Sequence, residues 1–290
     1  MKKFIILIPI YNDWESLIKL LSNINENIKS IKEAQFDCVI INDCSTIKKP
    51  KIKIPSQINS VKIIHMSTNK GHARCNALGI KYLSDRSDFD YLILMDGDGE
   101  DRPEEIKLLV DKILFEPNKS VVAKRIKRSE GFFFQILYSF HKYITLLMTG
   151  KIINFGNYSC LTKPDLKMLS SKASLWCSYS GSFKDNIKNY SEIDSIRGMR
   201  YFGPTQMSLF KLIIHSFSII AVFKYRVFFT SLILLVLLYY FGIFIKFNFL
   251  LFQILILLFT ILIFVVSFRE SKKELEKSKL DIASVEELTH

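Results

Sequence analysis

Four acids crowd into six residues of this chain, Asp96-Gly97-Asp98-Gly99-Glu100-Asp101, directly after the apolar run Tyr91-Leu92-Ile93-Leu94-Met95. Pro103 then opens a charged segment with helical spacing as far as Leu114. Carboxylates gathered this tightly suit a hard divalent cation, Mg²⁺ or Mn²⁺, which keeps waters and shares the phosphates of a substrate. The two glycines let backbone approach a ligand closely. The competing reading is a polar strand-to-helix turn whose acids cap the helix and meet its N-terminal dipole.

An acidic cluster does chemistry only if something rigid presents it. The run 91–95 reads as a buried strand, and open α/β sheets bind ligands at the carboxyl ends of such strands. Three earlier segments share the pattern. Lys3 to Ile10 is a strand ending in Tyr11-Asn12-Asp13, with Asp13 as helix cap and Leu17, Leu20, Leu21 and Ile24 at helical spacing over about 14–30. Phe36 to Ile41 ends in Asn42-Asp43-Cys44-Ser45-Thr46. Val61 to Met66 ends in Ser67-Thr68-Asn69-Lys70-Gly71-His72, ahead of a helix from Ala73 to Leu83. Strand alternating with helix predicts a parallel sheet covered by helices, with four polar tips converging on one edge. The start of the chain superficially resembles a signal peptide, but Pro9 interrupts its short apolar run and no small-residue cleavage site follows.

Beyond this unit the pattern changes. Val121 to Ala123 reads as a fifth strand, followed by the basic Lys124-Arg125-Ile126-Lys127-Arg128, and Gly131 to Thr149 as an aromatic, apolar helix at a membrane surface or groove. Residues 151–204 read as irregular, with turns at Gly156, Gly181, Gly198 and Gly203. Met207 to Phe223 reads as an amphipathic interfacial helix. Val227 to Ile245 and Phe249 to Val266 are uncharged and each long enough to span a bilayer; Lys246-Phe247-Asn248 makes them a tight hairpin. Two buried core helices are the alternative. Lys211, Lys224 and Arg226 before the hairpin, and Arg269, Lys272 and Lys273 after it, place both ends in the cytoplasm by the positive-inside rule. The tail from Glu270 is charged, helical at first and otherwise uninformative.

The chain has 290 residues, a net charge of +12 and 49% hydrophobic residues. That charge fits an anionic membrane or a phosphorylated substrate. Nucleic acid is not expected, since no zinc-knuckle or RNP-like pattern occurs. Five scattered cysteines (Cys38, Cys44, Cys75, Cys160, Cys177) without CxxC spacing read as reduced, inert thiols.

Taken together, Pro9-Ile10-Tyr11-Asn12, Asn42-Asp43-Cys44-Ser45, Asn69-Lys70-Gly71-His72-Ala73-Arg74 and Asp96-Gly97-Asp98 resemble the family 2 glycosyltransferases of GT-A fold, across about residues 3–125. The hairpin, with Arg197-Gly198-Met199-Arg200 and Gly203-Pro204-Thr205-Gln206-Met207 ahead of it, resembles the polyprenyl-phosphate sugar transferases, a group that includes dolichol-phosphate mannose synthase and bacterial undecaprenyl-phosphate enzymes. The resemblance implies that Pro9, Tyr11, Asn12 and Asp43 line a nucleobase and ribose pocket, with Lys70 and Gly71 nearby. It implies Asp96 beside ribose and metal, and Asp98 and Glu100 holding Mg²⁺ or Mn²⁺ on the donor diphosphate. Arg125 and Arg128 join the candidate catalytic set, and Arg197 and Arg200 match arginines expected to meet an acceptor phosphate. Two positions depart from the pattern: Asn42 stands where the family has Asp, and Gln206 where the lipid-phosphate enzymes have Lys.

The expected fold is α/β: a Rossmann-like, mainly parallel GT-A domain (1–204), a juxtamembrane amphipathic helix (205–225), two transmembrane helices (226–268) and a cytoplasmic tail (269–290). The expected function is an inverting, metal-dependent glycosyltransferase in the inner membrane. It would move sugar from a nucleotide donor, UDP-linked by preference, to polyprenyl phosphate. An ionised phosphate oxygen needs no strong base, whereas a glycan hydroxyl needs one within hydrogen-bond reach, and no clear base follows the metal motif. Transfer to a glycan hydroxyl is the alternative within enzymes; a non-catalytic membrane scaffold is the alternative outside them. A homo-oligomer packed through the membrane helices is compatible with the pattern.

Overall fold

The computed structural model describes residues 1–127, 132–204 and 208–288. Helix α1 (Trp14–Ile28) joins strand β1 (Lys2–Ile10) to β2 (Ala34–Asn42), a helix-free loop leads on to β3 (Ser60–Met66) where alternation was expected, α2 (His72–Ser84) joins β3 to β4 (Tyr91–Leu94), and α3 (Ile106–Phe115) follows β4. β1 pairs in parallel with β2 on one side and β4 on the other, while β3 extends the sheet beyond β2. The chain therefore runs outward from β1 to β3 and then returns to the opposite side of β1, which puts the topological switch point between β1 and β4. A ligand crevice forms where the order reverses.

Buried on both faces, β1 is apolar at nearly every position: Phe4, Ile6, Ile8 and Ile10 pack with Leu17, Leu20 and Leu21 of α1, and Ile5 and Leu7 face α2. Each fully buried side chain of this kind contributes roughly 1.5–3 kcal/mol, so the central strands rigidly fix the loops at their tips. Asp13 precedes α1 as expected, but its carboxylate caps nothing. It accepts from Arg200 instead.

The second half holds more regular structure than its sequence suggests. β5 (Ser120–Lys127) is followed by α4 (Phe132–Thr149), β6 (Phe155–Thr162), α5 (Lys163–Ser170), α6 (Tyr179–Asn186) and β7 (Tyr190–Ile196). β6 inserts antiparallel between β4 and β5, and β7 lies parallel to β5. Residues 151–204 are thus a sheet extension, not an irregular region.

Next come α7 (Leu209–Ala221), the long apolar helices α8 (Lys224–Ile245) and α9 (Leu250–Ser267), and short α10 (Lys272–Lys277). Lys246, left-handed at φ 55°, closes the turn between the two long helices. Thr260 Oγ1 donates to Ser231 Oγ at 2.7 Å across them. Only 6% of the apolar window of α8 is buried and 22% of that of α9, so little of either helix packs inside this chain, against the alternative of core helices. Met148, Ile220, Val227 and Ile263 join α4, α7, α8 and α9 in a separate small core. The tail then does what its composition conceals: β8 (Ile282–Leu288) returns and pairs antiparallel with β3, completing the order β7-β5-β6-β4-β1-β2-β3-β8.

Candidate active site

The acidic turn leaves β4 at the switch point and is packed from two sides. A Cβ at residue 97 would sit 2.9 Å from the Pro9 carbonyl oxygen and 2.7 Å from an Ile10 methyl, so only glycine lets the turn lie against the tip of β1. Gly99 has φ +90° and lies under the Tyr201 ring, 2.5 Å from where a Cβ would stand. Residues 197–202 strap the turn down: Gly198 N donates to Glu100 O at 2.8 Å and Tyr201 N to Asp98 O at 2.9 Å. Asn23 of α1 holds the Tyr201 hydroxyl at 2.8 Å.

Asp96 is the hub of the carboxylates. Its Oδ1 accepts from Asn157 Nδ2 of β6 at 3.0 Å and lies 3.2 Å from His72 Nε2 at the start of α2. His72 Nε2 also meets Asn157 Nδ2 at 2.7 Å and Asn76 Nδ2 at 3.2 Å. Asn76 Oδ1 is buried without a partner. Turning that amide over makes Oδ1 an acceptor for a protonated Nε2. Burial alone would raise the Asp96 carboxyl, but His72, Asn157 and Arg125 outweigh it and hold the group below the carboxylate range. His72 is raised in return: burial lowers it, and Asp96, Asp98 and Asp101 more than offset that.

Asp98 experiences the opposite balance. Burial and the charges of Asp96 and Glu100 push it up to about 6, against Arg200. Asp101 rises to about 7 through burial and the charge of Asp96, although Arg125 opposes the shift. Asp101 is no exposed helix acid: it is buried, and its Oδ2 accepts from Asp96 N at 2.9 Å, closing the turn.

The expected residues reach the crevice in unequal fashion. Arg200 Nη1 donates to Asp98 Oδ2 at 3.1 Å and Nη2 to Asp13, while Arg197 pairs with Glu100. The two arginines expected at an acceptor phosphate are here counter-ions of the acidic turn. Arg125 Nη2 lies 3.8 Å from Asp101 Oδ1. Arg128 and Gln206 lie outside the described residues. Asp43 accepts from the Lys70 and Gly71 amides at 2.7 and 2.8 Å, so it shapes the turn after β3. Asn12 Oδ1 accepts from Thr46 N at 2.8 Å and Ile47 N at 3.1 Å, locking the β1 and β2 tips together. Pro9 is buried in β1 and Tyr11 lies half-exposed at its tip. Lys70 Nζ meets Asp281 of the returning tail at 3.1 Å.

Asn157 and Tyr201 are the site residues that sequence reasoning missed, and His72 was read without its carboxylate partner. His72 stood within a recognised motif, but its partner Asn157 lies 85 positions away. Among the described residues no three His, Cys, Asp or Glu side chains converge as a ready-made metal cage. What the crevice offers is a smaller donor set, the half-buried carboxylates of Asp96 and Asp98. Their mutual repulsion, seen in the raised Asp98, is the environment a divalent cation relieves, so these residues fit one that takes its other ligands from water and phosphate.

A mixed sheet thus carries, at its switch-point crevice, glycine-spaced carboxylates with basic residues around them. Residues 5–178 match the model for glycosyl transferase family 2, and the chain belongs to that family. Undecaprenyl-phosphate 4-deoxy-4-formamido-L-arabinose transferase of Photorhabdus laumondii is 26% identical over 220 residues, covering 73% of this chain and 65% of the relative. Its counterpart in Salmonella choleraesuis is 28% identical over 223 residues, covering 73% and 64%. The chain spans just under two thirds of the length of these curated relatives. A Mycobacterium tuberculosis glucosyl-3-phosphoglycerate synthase, solved with Mn²⁺, UDP-glucose and phosphoglyceric acid, superposes with a TM-score of 0.51 at 13% identity over 78% of this chain and 80% of that one. The fold is GT-A, and the expected α/β architecture stands.

Proposed function

We propose that this glycosyltransferase moves a sugar from a nucleotide diphosphate donor, UDP-linked by preference, to the phosphate of a polyprenyl lipid at a membrane surface. The observation that carries the reading is the acidic turn of 96–101 set in a crevice whose own chain continues into an apolar, outward-facing hairpin. The names of the relatives in Photorhabdus and Salmonella support the acceptor class.

Each part of the crevice has a task. Tyr11, Asn12 and the Asp43-held turn at Lys70 and Gly71 would receive the nucleoside. Asp96 and Asp98 would hold Mg²⁺ or Mn²⁺, with Glu100 beside them. When bound, the ion neutralises charge on the leaving diphosphate. His72 and Asn157 keep Asp96 ionised and oriented. Arg200 and Arg197, fixed on the acids, are placed to exchange those partners for phosphate, which their planar forks accept bidentately. An ionised phosphate acceptor would attack without a general base, inverting the anomeric centre.

Two features support the membrane placement. The hairpin exposes Phe229, Tyr240, Phe244 and Leu251, and α4 beside it exposes Phe140 and Tyr143. β8, after the hairpin, joins the same sheet as β1, before it, so both ends of the hairpin emerge on the catalytic side. The cations flanking the hairpin support a cytoplasmic placement of that side.

The test is transfer in detergent with Mg²⁺ or Mn²⁺, supplying undecaprenyl phosphate and a panel of labelled UDP- and GDP-sugars. Label in an organic-extractable, mild-acid-labile product is expected. Donor hydrolysis without lipid product would move the acceptor to a glycan hydroxyl, and donor binding without turnover would revive a scaffold.

A further inference from the structure

The tips of β1 and β2 hold backbone that is costly to hold. Of the three non-glycine residues with positive φ among the described residues, two stand there, Asn12 at φ 52° and Cys44 at φ 57°. Such conformations persist where surrounding contacts over-determine them, and they gather at ligand clamps. The contacts are specific. Asn12 N donates to Ser45 Oγ at 2.8 Å, Ser45 N donates to Asn42 Oδ1 at 3.2 Å, and Trp14 Nε1 donates to Ile47 O at 3.0 Å.

His65 of β3 stands behind this loop. Asn42 and His65 are partners across the β2–β3 ladder, and Asn42 Nδ2 lies 2.9 Å from His65 Nδ1. The far end of the amide fixes its orientation: Oδ1 takes the Ser45 N–H, so Nδ2 donates and His65 Nδ1 accepts. In the neutral ring the hydrogen is then on Nε2, which lies 3.6 Å from Glu286 Oε2 of β8. The Trp14 ring lies 6.5 Å from the imidazole, centre to centre. Asn42 is one of the two departures from the family pattern. An aspartate here would set a second acceptor against Nδ1, so asparagine and histidine complement each other.

The returning tail holds the same tips from outside. Glu286 also pairs with Lys49, in the connection that follows β2. Asp281 O accepts from Ser67 N at 2.8 Å, and the Asp281 carboxylate meets Lys70 Nζ at 3.1 Å. These contacts lie on the β2–β3 side of β1, whereas the acidic turn leaves β4 on the other side.

We propose that His65 is a positioning residue for the donor nucleoside. Through Asn42 and Ser45 it fixes Asn12 and the loop 42–47, and Glu286 of the returning tail sets the ring that does so. This rests on the proposed reception of the nucleoside by Tyr11, Asn12 and the turn at Lys70. His65 acts through the loop, so its loss weakens grip on the nucleoside and spares the diphosphate end of the crevice.

The test uses the full chain in detergent with Mn²⁺ and measures affinity for UDP, GDP and inorganic diphosphate. Wild type is compared with His65→Phe, His65→Asn and Glu286→Gln, each checked by its thermal unfolding profile. His65→Phe keeps a ring beside Trp14 and removes the acceptor; His65→Asn restores an acceptor oxygen near the place of Nδ1. The nucleotide that wild type binds more tightly is expected to lose about tenfold in His65→Phe, about threefold in Glu286→Gln and less than about twofold in His65→Asn. Diphosphate, which lacks the nucleoside, is expected to keep its affinity in every variant. Should His65→Phe fail to fold, the ring signals of His65 in histidine-labelled wild type are expected to shift when the nucleotide is added. Unaltered nucleotide affinity in folded His65→Phe, no recovery in His65→Asn, a parallel loss of diphosphate affinity, or unshifted ring signals would overturn this inference alone. A wild type that binds neither nucleotide would overturn it together with the donor reading, so the two failures are told apart.

Discussion

At the residue scale, the site is organised by the contrast between two acids two positions apart. Asp96 is held ionised by His72 and Asn157, and Asp98 is pushed up to about 6 by burial and by Asp96 itself. Asp98 is therefore an expensive charge that the fold tolerates for its chemistry. Asp98→Asn is predicted to reduce transfer by about 10²–10³-fold or more while leaving the thermal midpoint within a few degrees of wild type, because the charge removed is one the folded state disfavours. A large drop in the midpoint with activity retained would show a structural role instead. His72→Ala removes a group that touches Asp96 from the second row, and a fall of about 10–100-fold in kcat/KM is expected, with undisturbed folding by circular dichroism.

At the element scale, the strands legible in the sequence are the ones buried on both faces. β1 to β4 are short apolar runs ending in polar clusters, and their positions follow from that pattern alone. β7 reads Tyr-Ser-Glu-Ile-Asp-Ser-Ile and β8 reads Ile-Ala-Ser-Val-Glu-Glu-Leu, edge strands whose solvent-facing positions dilute the apolar signal. β8 is held by side chains as well as by its ladder: Lys49 pairs with Glu286, His65 Nε2 lies 3.6 Å from it, and Lys62 meets Glu287 at 3.4 Å. The site's own contacts were hidden for a different reason, since Asn157, Arg200 and Tyr201 reach the acidic turn only through tertiary folding. The hydrogen bond from Lys49 holds the Glu286 carboxyl below its ordinary 4.5. A depressed carboxyl adds stability above that ordinary value and loses it as pH falls through the folded value. The stability difference between wild type and Glu286→Gln is therefore predicted to be present at pH 7 and to shrink progressively as pH falls below the ordinary 4.5, read from thermal unfolding at each pH. A difference that grows on acidification would contradict it.

At the scale of the whole molecule, the chain enters the sheet, leaves through the apolar hairpin and re-enters the same sheet at β8. That return ties both ends of the hairpin to the sheet that carries the crevice. In sealed inner-membrane vesicles, both termini are predicted to be cleaved by protease from the same side as the catalytic domain, and protection of one terminus alone would break the proposed topology. The most direct test of the central claim is single-turnover transfer by the purified chain with a labelled donor, comparing undecaprenyl phosphate with undecaprenol, before and after chelation of divalent ions. Label is predicted to reach the phosphate lipid only, to stop on chelation and to resume when Mn²⁺ or Mg²⁺ is restored. Equal labelling of undecaprenol, or transfer that continues undiminished in chelator, would contradict it.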